Sequence, residues 1–288
     1  MMQYATAAAF RMALEERIKQ QSAAEGTALW RMRKRVAFER LLARLQARPN
    51  SPWLLKGAFA LDLRFRDRAR STKDVDLSID VSLVGAAPLA DTKIVEILRD
   101  AARYPLPDFF IYNIPSEGEE VLHEKGSPTQ RFTVHAALAG RLFEELKVDV
   151  STRQEVVSPV EEVPESDALA FAGILPGTFR AISLSQQFAE KIHAFTFPWE
   201  DRDNTRVKDL VDITLILETS PPEPTAARAS LSAIFEGRQT HPLPTEILDP
   251  PVTWVGSYGA AAREIGLANL GMDEAMVLLR NYWSTMFP

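Results

Sequence analysis

Asp74 and Asp76 stand two positions apart at the head of the segment Arg70-Ser71-Thr72-Lys73-Asp74-Val75-Asp76-Leu77-Ser78-Ile79-Asp80-Val81. Successive side chains of an extended strand point to opposite faces, so Asp74, Asp76, Ser78 and Asp80 share one face and Val75, Leu77, Ile79 and Val81 the other. Such a strand can bury its apolar face and still project two carboxylates together into a cleft. Paired aspartate oxygens suit a hard cation such as Mg2+, which takes a few carboxylates and fills its shell with substrate phosphate oxygens. Phosphate transfer is therefore the first expectation. Asp80 lies further along the strand, at about 3.3 Å per residue, and reads as a structural acid beyond metal reach.

Other residues add to this pair. In Lys56-Gly57 a glycine lets backbone approach a phosphate closely, and helix N-terminal amides favour anions; taken alone, Gly57 reads equally as a helix-packing glycine. Asp149 lies in the strand-like run Leu146-Lys147-Val148-Asp149-Val150-Ser151, sharing a face with Lys147 and Ser151. Three converging carboxylates could hold one or two metal ions that orient a 3′-hydroxyl and neutralise a nucleotide's phosphates, and would repel one another without metal. Each acid separately also reads as an exposed strand residue. Further on, Glu190-Lys191 and Lys208-Asp209-x-x-Asp212 fall on helical stretches, with Asp209 and Asp212 on one face. Lys191 could reach a triphosphate, and Asp209 could fix that lysine or act on a hydroxyl. The plainer alternative is a pair of surface salt bridges, Lys208 with Asp212 foremost. His193 reads as a packed or surface histidine, and Trp199, Trp254 and Trp283 as core.

The elements that must position these residues follow from periodicity. Residues 4–48 read as helices with a break at Gly26-Thr27, and Pro49 to Pro52 punctuates the chain. Trp53 to Phe65 reads as one apolar helix, the Asp74 segment as a strand, and Asp91 to Arg103 as a second helix. Strand-like runs follow at 109–112, 131–136 and 146–151, then a connector with a short edge strand over 152–178. Ser185 is the expected N-cap of a helix through Phe195, Arg206 to Leu217 is another, and Pro221, Pro222 and Pro224 end it. Residues 239–252 are looser, and a last helix runs from Asp273 to Trp283. Strand, helix and strand followed by further strands imply a mixed α/β sheet core.

Composition narrows the chemistry. The 288 residues include no cysteine, and His123, His135, His193 and His241 show no metal-ligand spacing, so any metal must be held by oxygen. No signal-peptide core and no membrane-length apolar run is present, and the chain reads as cytoplasmic, with no membrane partner. A net charge of -6 hides an asymmetry, because residues 1–50 carry ten Lys/Arg against four Asp/Glu. Arg31 to Arg48, with Arg64 to Arg70, form the candidate surface for a polyanion such as RNA, Arg33, Lys34, Arg35, Arg66 and Arg68 foremost. Solvated helix faces are the plain alternative.

In order along the chain, Leu54-Leu55-Lys56-Gly57-Ala58-Phe59-Ala60-Leu61, Arg70-x-Thr72-x-Asp74-x-Asp76-Leu77, Lys147-Val148-Asp149-Val150, Glu190-Lys191 and Arg206-Val207-Lys208-Asp209-x-x-Asp212 resemble the nucleotidyltransferase toxins of AbiEii/AbiGii type, which include the MenT toxins of mycobacteria. The resemblance covers roughly residues 50–217. It implies an α+β fold: a polymerase-β-like nucleotidyltransferase core with a mixed sheet, N-terminal helices and a helical C-terminal domain, divided at 1–50, 51–165 and 166–288. It also implies Asp74, Asp76, Lys191 and Asp209 as catalytic residues, and Lys56, Gly57, Thr72, Asp149 and Asp212 around the nucleotide. Asp74, Asp76 and Asp149 would hold Mg2+. Members act in toxin–antitoxin or phage-defence operons, and MenT-like members transfer nucleotides, often pyrimidine ones such as from CTP, to the tRNA acceptor end, blocking aminoacylation. An AbiEi-like antitoxin is the typical partner. Gly57-Ala58 departs from the family's usual Gly-Gly or Gly-Ser, which bears on nucleotide affinity or choice. The alternatives are an enzyme of this fold that nucleotidylates protein, and a non-catalytic binding or regulatory protein.

Overall fold

The computed structural model describes residues 3–68, 70, 72–80, 83–84, 91–115, 118–122, 128–151, 159–199 and 204–287. Ser71, Val81, His123 and the start of the expected connector, 152–158, lie outside the described residues.

Two helices open the chain, α1 (Ala7–Glu25) and α2 (Leu29–Leu45). The Thr6 hydroxyl caps α1 by accepting the Ala9 amide, and Gly26 ends it at a φ of 66°, a left-handed conformation that glycine adopts without steric cost. Trp53 to Phe65 departs from the single helix expected. It forms β1 (Trp53–Lys56) and then α3 (Gly57–Phe65). β1 pairs on both sides and buries Trp53, Leu54 and Leu55 completely. A strand buried on both faces reads as an unbroken apolar run, which periodicity cannot tell from a buried helix.

After a 3-10 turn over Arg66–Arg68 come β2 (Asp74–Ile79), α4 (Asp91–Ala102), β3 (Phe110–Asn113), β4 (Glu119–Leu122), β5 (Pro128–Leu138), β6 (Arg141–Ser151), β7 (Val160–Pro164) and β8 (Thr178–Ile182). They build one mixed sheet in the order β3-β5-β6-β2-β1-β8-β7, with β4 also on β5. The β2–β6 and β1–β8 pairs are parallel and the others antiparallel. Among the described residues that follow, five α-helices come next: α5 (Leu184–Thr196), α6 (Val207–Thr219), α7 (Pro224–Arg238), α8 (Val255–Glu264) and α9 (Met272–Met286). Ser183, not Ser185, caps α5, its hydroxyl accepting the Gln186 amide.

Two apolar clusters hold these elements. Val75, Leu77, Ile79, Val148 and Val150 pack with Phe10, Leu14, Phe38 and Leu41 of α1 and α2 and with Ile94 and Leu98 of α4. Phe188, Ile192, Leu210, Ile213, Leu231, Tyr258 and Leu279 gather α5 to α9. α3 serves both, with Phe59, Ala60 and Leu63 in the first cluster and Leu61 in the second, because residues two apart on a helix face nearly opposite ways. The first cluster runs from Phe10 to Ala181, taking in the N-terminal helices and β8.

Candidate active site

Strand register sets four charged residues in one row. Lys56 pairs with Asp76 across β1 and β2, Asp76 with Asp149 across β2 and β6, and Asp149 with Arg131 across β6 and β5. Residues paired in register point to the same face, so the row runs Lys56, Asp76, Asp149, Arg131, with Asp74 one pleat earlier on β2. Like charges on adjacent strands are unfavourable, and a cation stands at each end of this row. Arg131 grips Asp149 with both arms, Nε to Oδ1 and Nη2 to Oδ2 each at 2.7 Å, and Nη2 lies 3.4 Å from Asp74 Oδ2. Hydrogen bonding to Asp149 raises the Arg131 pKa further, against the pull of burial. Asp149 is buried, whereas the Asp74 side chain keeps 37% of its surface open.

Gly57 and Thr72 shape this row. A Cβ on Gly57 would fall 1.9 Å from Asp76 Oδ2, and the residue holds φ 68°, so both close approach and backbone conformation demand glycine. The Gly57 carbonyl accepts a short hydrogen bond from Gln187 Nε2 of α5. Thr72 Oγ1 donates to the Asp74 carbonyl at 2.8 Å and so turns the chain into β2.

Helices α5 and α6 close the other side. Asp209 and Asp212 lie one turn apart on α6, and Lys191 of α5 reaches both at 2.7 Å. Arg70 adds a two-armed bond to Asp212 at 2.9 and 3.0 Å. Burial by itself lowers the Lys191 pKa, but Asp209 and Asp212 outweigh it and raise the net value. Burial likewise raises that of Asp212, and Lys191 with Arg70 overcomes it, leaving the carboxyl below its ordinary range. The expected Lys208–Asp212 surface pair gives way to this buried network. Glu190, next along α5, meets Lys56 at 3.5 Å and Arg238 of α7 at 3.9 Å, and is held anionic by them although burial alone would raise its pKa.

These groups line one cleft of about 640 Å3, a size that accepts a nucleotide. Lys56, Gly57, Thr72, Asp74, Asp76, Asp149, Lys191 and Asp209 all face it. Asp212 lies beneath, 1% exposed, and Asp80 does not line the cleft. Eight Lys or Arg and five Asp or Glu side chains line it, a cationic excess inside a chain of net charge -6. Among the described residues no three His, Asp or Glu side chains gather closely enough to hold a metal ion by themselves. Asp74 and Asp76 fit the alternative, two hard oxygen donors side by side at an open face, with phosphate oxygens completing the shell.

The basic stretch of α2 is placed differently. Arg33 donates to the Phe143 carbonyl at 2.6 Å and lies over the Phe143 ring. Arg35 pairs with Glu39 at 3.2 Å and faces a second cleft together with Arg66. Lys34 Nζ reaches the Lys73 carbonyl at the rim of the first cleft, at 3.4 Å, and Arg68 is exposed. Arg40 and Arg44 drop out of the expected polyanion surface. Both are buried around Asp108, since a carboxylate inside the core requires cations beside it. Arg64 also drops out, turned inward to Glu161 and the Ile182 carbonyl.

Arg131 and Arg238 also line the cleft, and the sequence alone does not mark them. Arg131 lies in an alternating run, but its value depends on standing opposite Asp149, and register is not written in either strand alone. Arg238 ends α7, a helix hidden by reading Pro224 as a terminator. Proline also opens helices, and Glu223-Pro224 is such a start, the Glu223 carboxylate accepting the Ala226 amide at 2.8 Å.

A sequence model of the family described as nucleotidyl transferase AbiEii toxin, type IV toxin–antitoxin system, matches residues 40–287. Among curated proteins no sequence matches the chain. Among solved structures, the nucleotidyltransferase toxin MenT4 of Mycobacterium tuberculosis H37Rv is similar at a TM-score of 0.54 and 14% identity, covering 94% of this chain and 98% of that one. At that identity the likeness speaks for the fold. No helix among the described residues is long and apolar enough to cross a membrane.

Proposed function

The chain belongs to the AbiEii family of nucleotidyltransferase toxins of type IV toxin–antitoxin systems, and from that premise we propose that it transfers a nucleotide from an NTP to the 3′ end of tRNA in a Mg2+-dependent reaction. The observation that carries this reading is the cleft itself, where Asp74 and Asp76 face Lys56, Lys191 and Arg131 in a lining with a cationic excess. A triphosphate needs such an excess, and a polyanionic acceptor is drawn to it.

Asp74 and Asp76 would hold the metal ion, which when bound neutralises phosphate charge and orients the reacting oxygens. Lys56 and Lys191 bind the triphosphate from either side, Lys191 kept charged and aimed by Asp209 and Asp212. The 3′-hydroxyl oxygen attacks the α-phosphorus in line, forming an O–P bond as the bond to the departing pyrophosphate breaks. Its proton passes to Asp74, which is open to solvent. Of the basic stretches, Lys34, which reaches the Lys73 carbonyl at the cleft rim, and the exposed Arg68 would meet the RNA acceptor. Added nucleotides would block aminoacylation and so translation, and an AbiEi-like antitoxin would neutralise the activity.

The test incubates the full chain with total tRNA and each α-labelled NTP in turn, with Mg2+ or with EDTA. Label running with tRNA, lost in EDTA, is the expected outcome, with CTP or another pyrimidine nucleotide preferred. Label running with protein would replace this reading with protein nucleotidylation, and no transfer to either would sink it.

A further inference from the structure

Arg131 and Asp149 face each other in register across β5 and β6, which brings their Cβ atoms to about 4.5–5.5 Å. At that separation a guanidinium reaches the neighbouring carboxylate without crossing solvent, and both arms bond at 2.7 Å. The same Nη2 lies 3.4 Å from Asp74. One guanidinium therefore stands between Asp74 and Asp149, where a second divalent ion would have to bridge the acids.

Two-ion transferase sites set their ions about 3.5–4 Å apart on a shared set of acids. Asp74 and Asp76 line the cleft and are partly exposed, but the third acid is buried with both oxygens bonded to one guanidinium. For Asp149 to bind metal, a two-armed charge-assisted pair would have to break inside the protein. No other grouping of acids or histidines among the described residues replaces it. Arg131 in turn cannot lose its charge at any working pH.

We propose that the chain works with one metal ion, held by Asp74 and Asp76, and that the Arg131 guanidinium, positioned by Asp149, is a permanent cation in place of a second ion. The inference rests on the nucleotidyl-transfer reading. Asp149 is then a positioning residue, and Arg131 offers phosphate oxygens a fixed charge that needs no metal to be recruited.

Electron paramagnetic resonance of the full chain, loaded with Mn2+ and the α,β-methylene analogue of each NTP in turn, tests this without turnover. The expected spectrum is that of one isolated Mn2+ per chain. Asp149→Asn should keep one bound ion, whereas Asp76→Asn, which removes a carboxylate proposed to hold it, should weaken binding more than Asp149→Asn does and at least about tenfold, the loss typical of disturbing even an outer-shell partner. A magnetically coupled Mn2+ pair in the unmodified chain would overturn the one-ion proposal and leave nucleotidyl transfer standing, as would an Asp149→Asn loss equal to that of Asp76→Asn. No bound Mn2+ with any analogue would sink both readings.

Discussion

Arg40 and Arg44 close around Asp108, which has no exposed surface, while Glu165 takes the other arm of Arg40 at 2.7 Å and the Phe110 amide donates to Asp108 at 3.1 Å. Arg70 and Lys191 surround Asp212 in the same manner, yet there Lys191 and its second partner, Asp209, face the cleft. The parts are alike, a buried aspartate between two cations. The first network is sealed on every side and ties α2 to the segment before β3. The second is sealed beneath and open above, so its lysine is held rigid and charged where a substrate can meet it. A buried ion pair is weak evidence for stability and is worth keeping where it fixes geometry; the cleft is the place where fixed geometry serves chemistry.

Substitutions can break or sharpen that contrast, beginning with the largest effect. Asp74→Asn should lower nucleotide transfer by about a thousandfold or more if Asp74 holds the metal, while the melting temperature stays unchanged because, among the described residues, the Asp74 side chain has only a 3.4 Å contact to Arg131. Lys191→Met should abolish transfer and also cost about 3–5 kcal/mol, since Asp209 and Asp212 lose a shared buried cation; label transfer and denaturant unfolding read the two losses. Asp108→Asn should cost a similar 3–5 kcal/mol, roughly, with transfer per folded molecule intact. If that variant loses activity while folded, the division between a sealed and an open network fails.

Glu39 supplies a subtler test on the sealed side. Burial pushes its carboxyl from an ordinary 4.5 up to about 7, against the pull of Arg35 and the Ser166 hydroxyl. Between those values the folded chain keeps a proton that the unfolded chain has released, so the group's stabilising contribution is full below 4.5 and is lost as pH rises through about 7. Glu39→Gln cannot ionise, so it should gain on the order of 1–3 kcal/mol relative to the unmodified chain between pH 4.5 and 8. Thermal melts across that range would show the two curves converging in acid. Last, Arg48→Ala should leave melting unchanged, because Arg48 and Asp100 are both more than half exposed and water screens such pairs.

Much of this was legible along the chain. The β2 alternation of Val75, Leu77 and Ile79 against Asp74 and Asp76 needs only the two-residue repeat of a strand, and α1, α2, α4 and α6 needed only apolar spacing and breakers. The ordered motifs from Lys56 to Asp212 carried the family, which the match over residues 40–287 bears out. Apart from α7, whose start at Glu223-Pro224 is a local signal, what stays illegible depends on how distant segments pack. β1 reads as helix because burial on both faces erases alternation, and β8 gives no periodic signal because Thr178–Ile182 is short and becomes a strand by pairing with β1 and β7. The α2 arginines looked like one basic surface because a helix places some cations outward and some inward, and only the position of Asp108 decides which.

By itself the sequence determined the chemical inventory: oxygen ligands without cysteine, two carboxylates on one strand face, and a lysine and two aspartates at helical spacing. Folding decided which charges meet. Strand register set Arg131 against Asp149, and the packing of α5 on α6 set Lys191 between Asp209 and Asp212. Partner choice among like residues depends on separations of a few ångströms between segments far apart in the chain. Only the closed sheet and the helices packed beside it fix those separations.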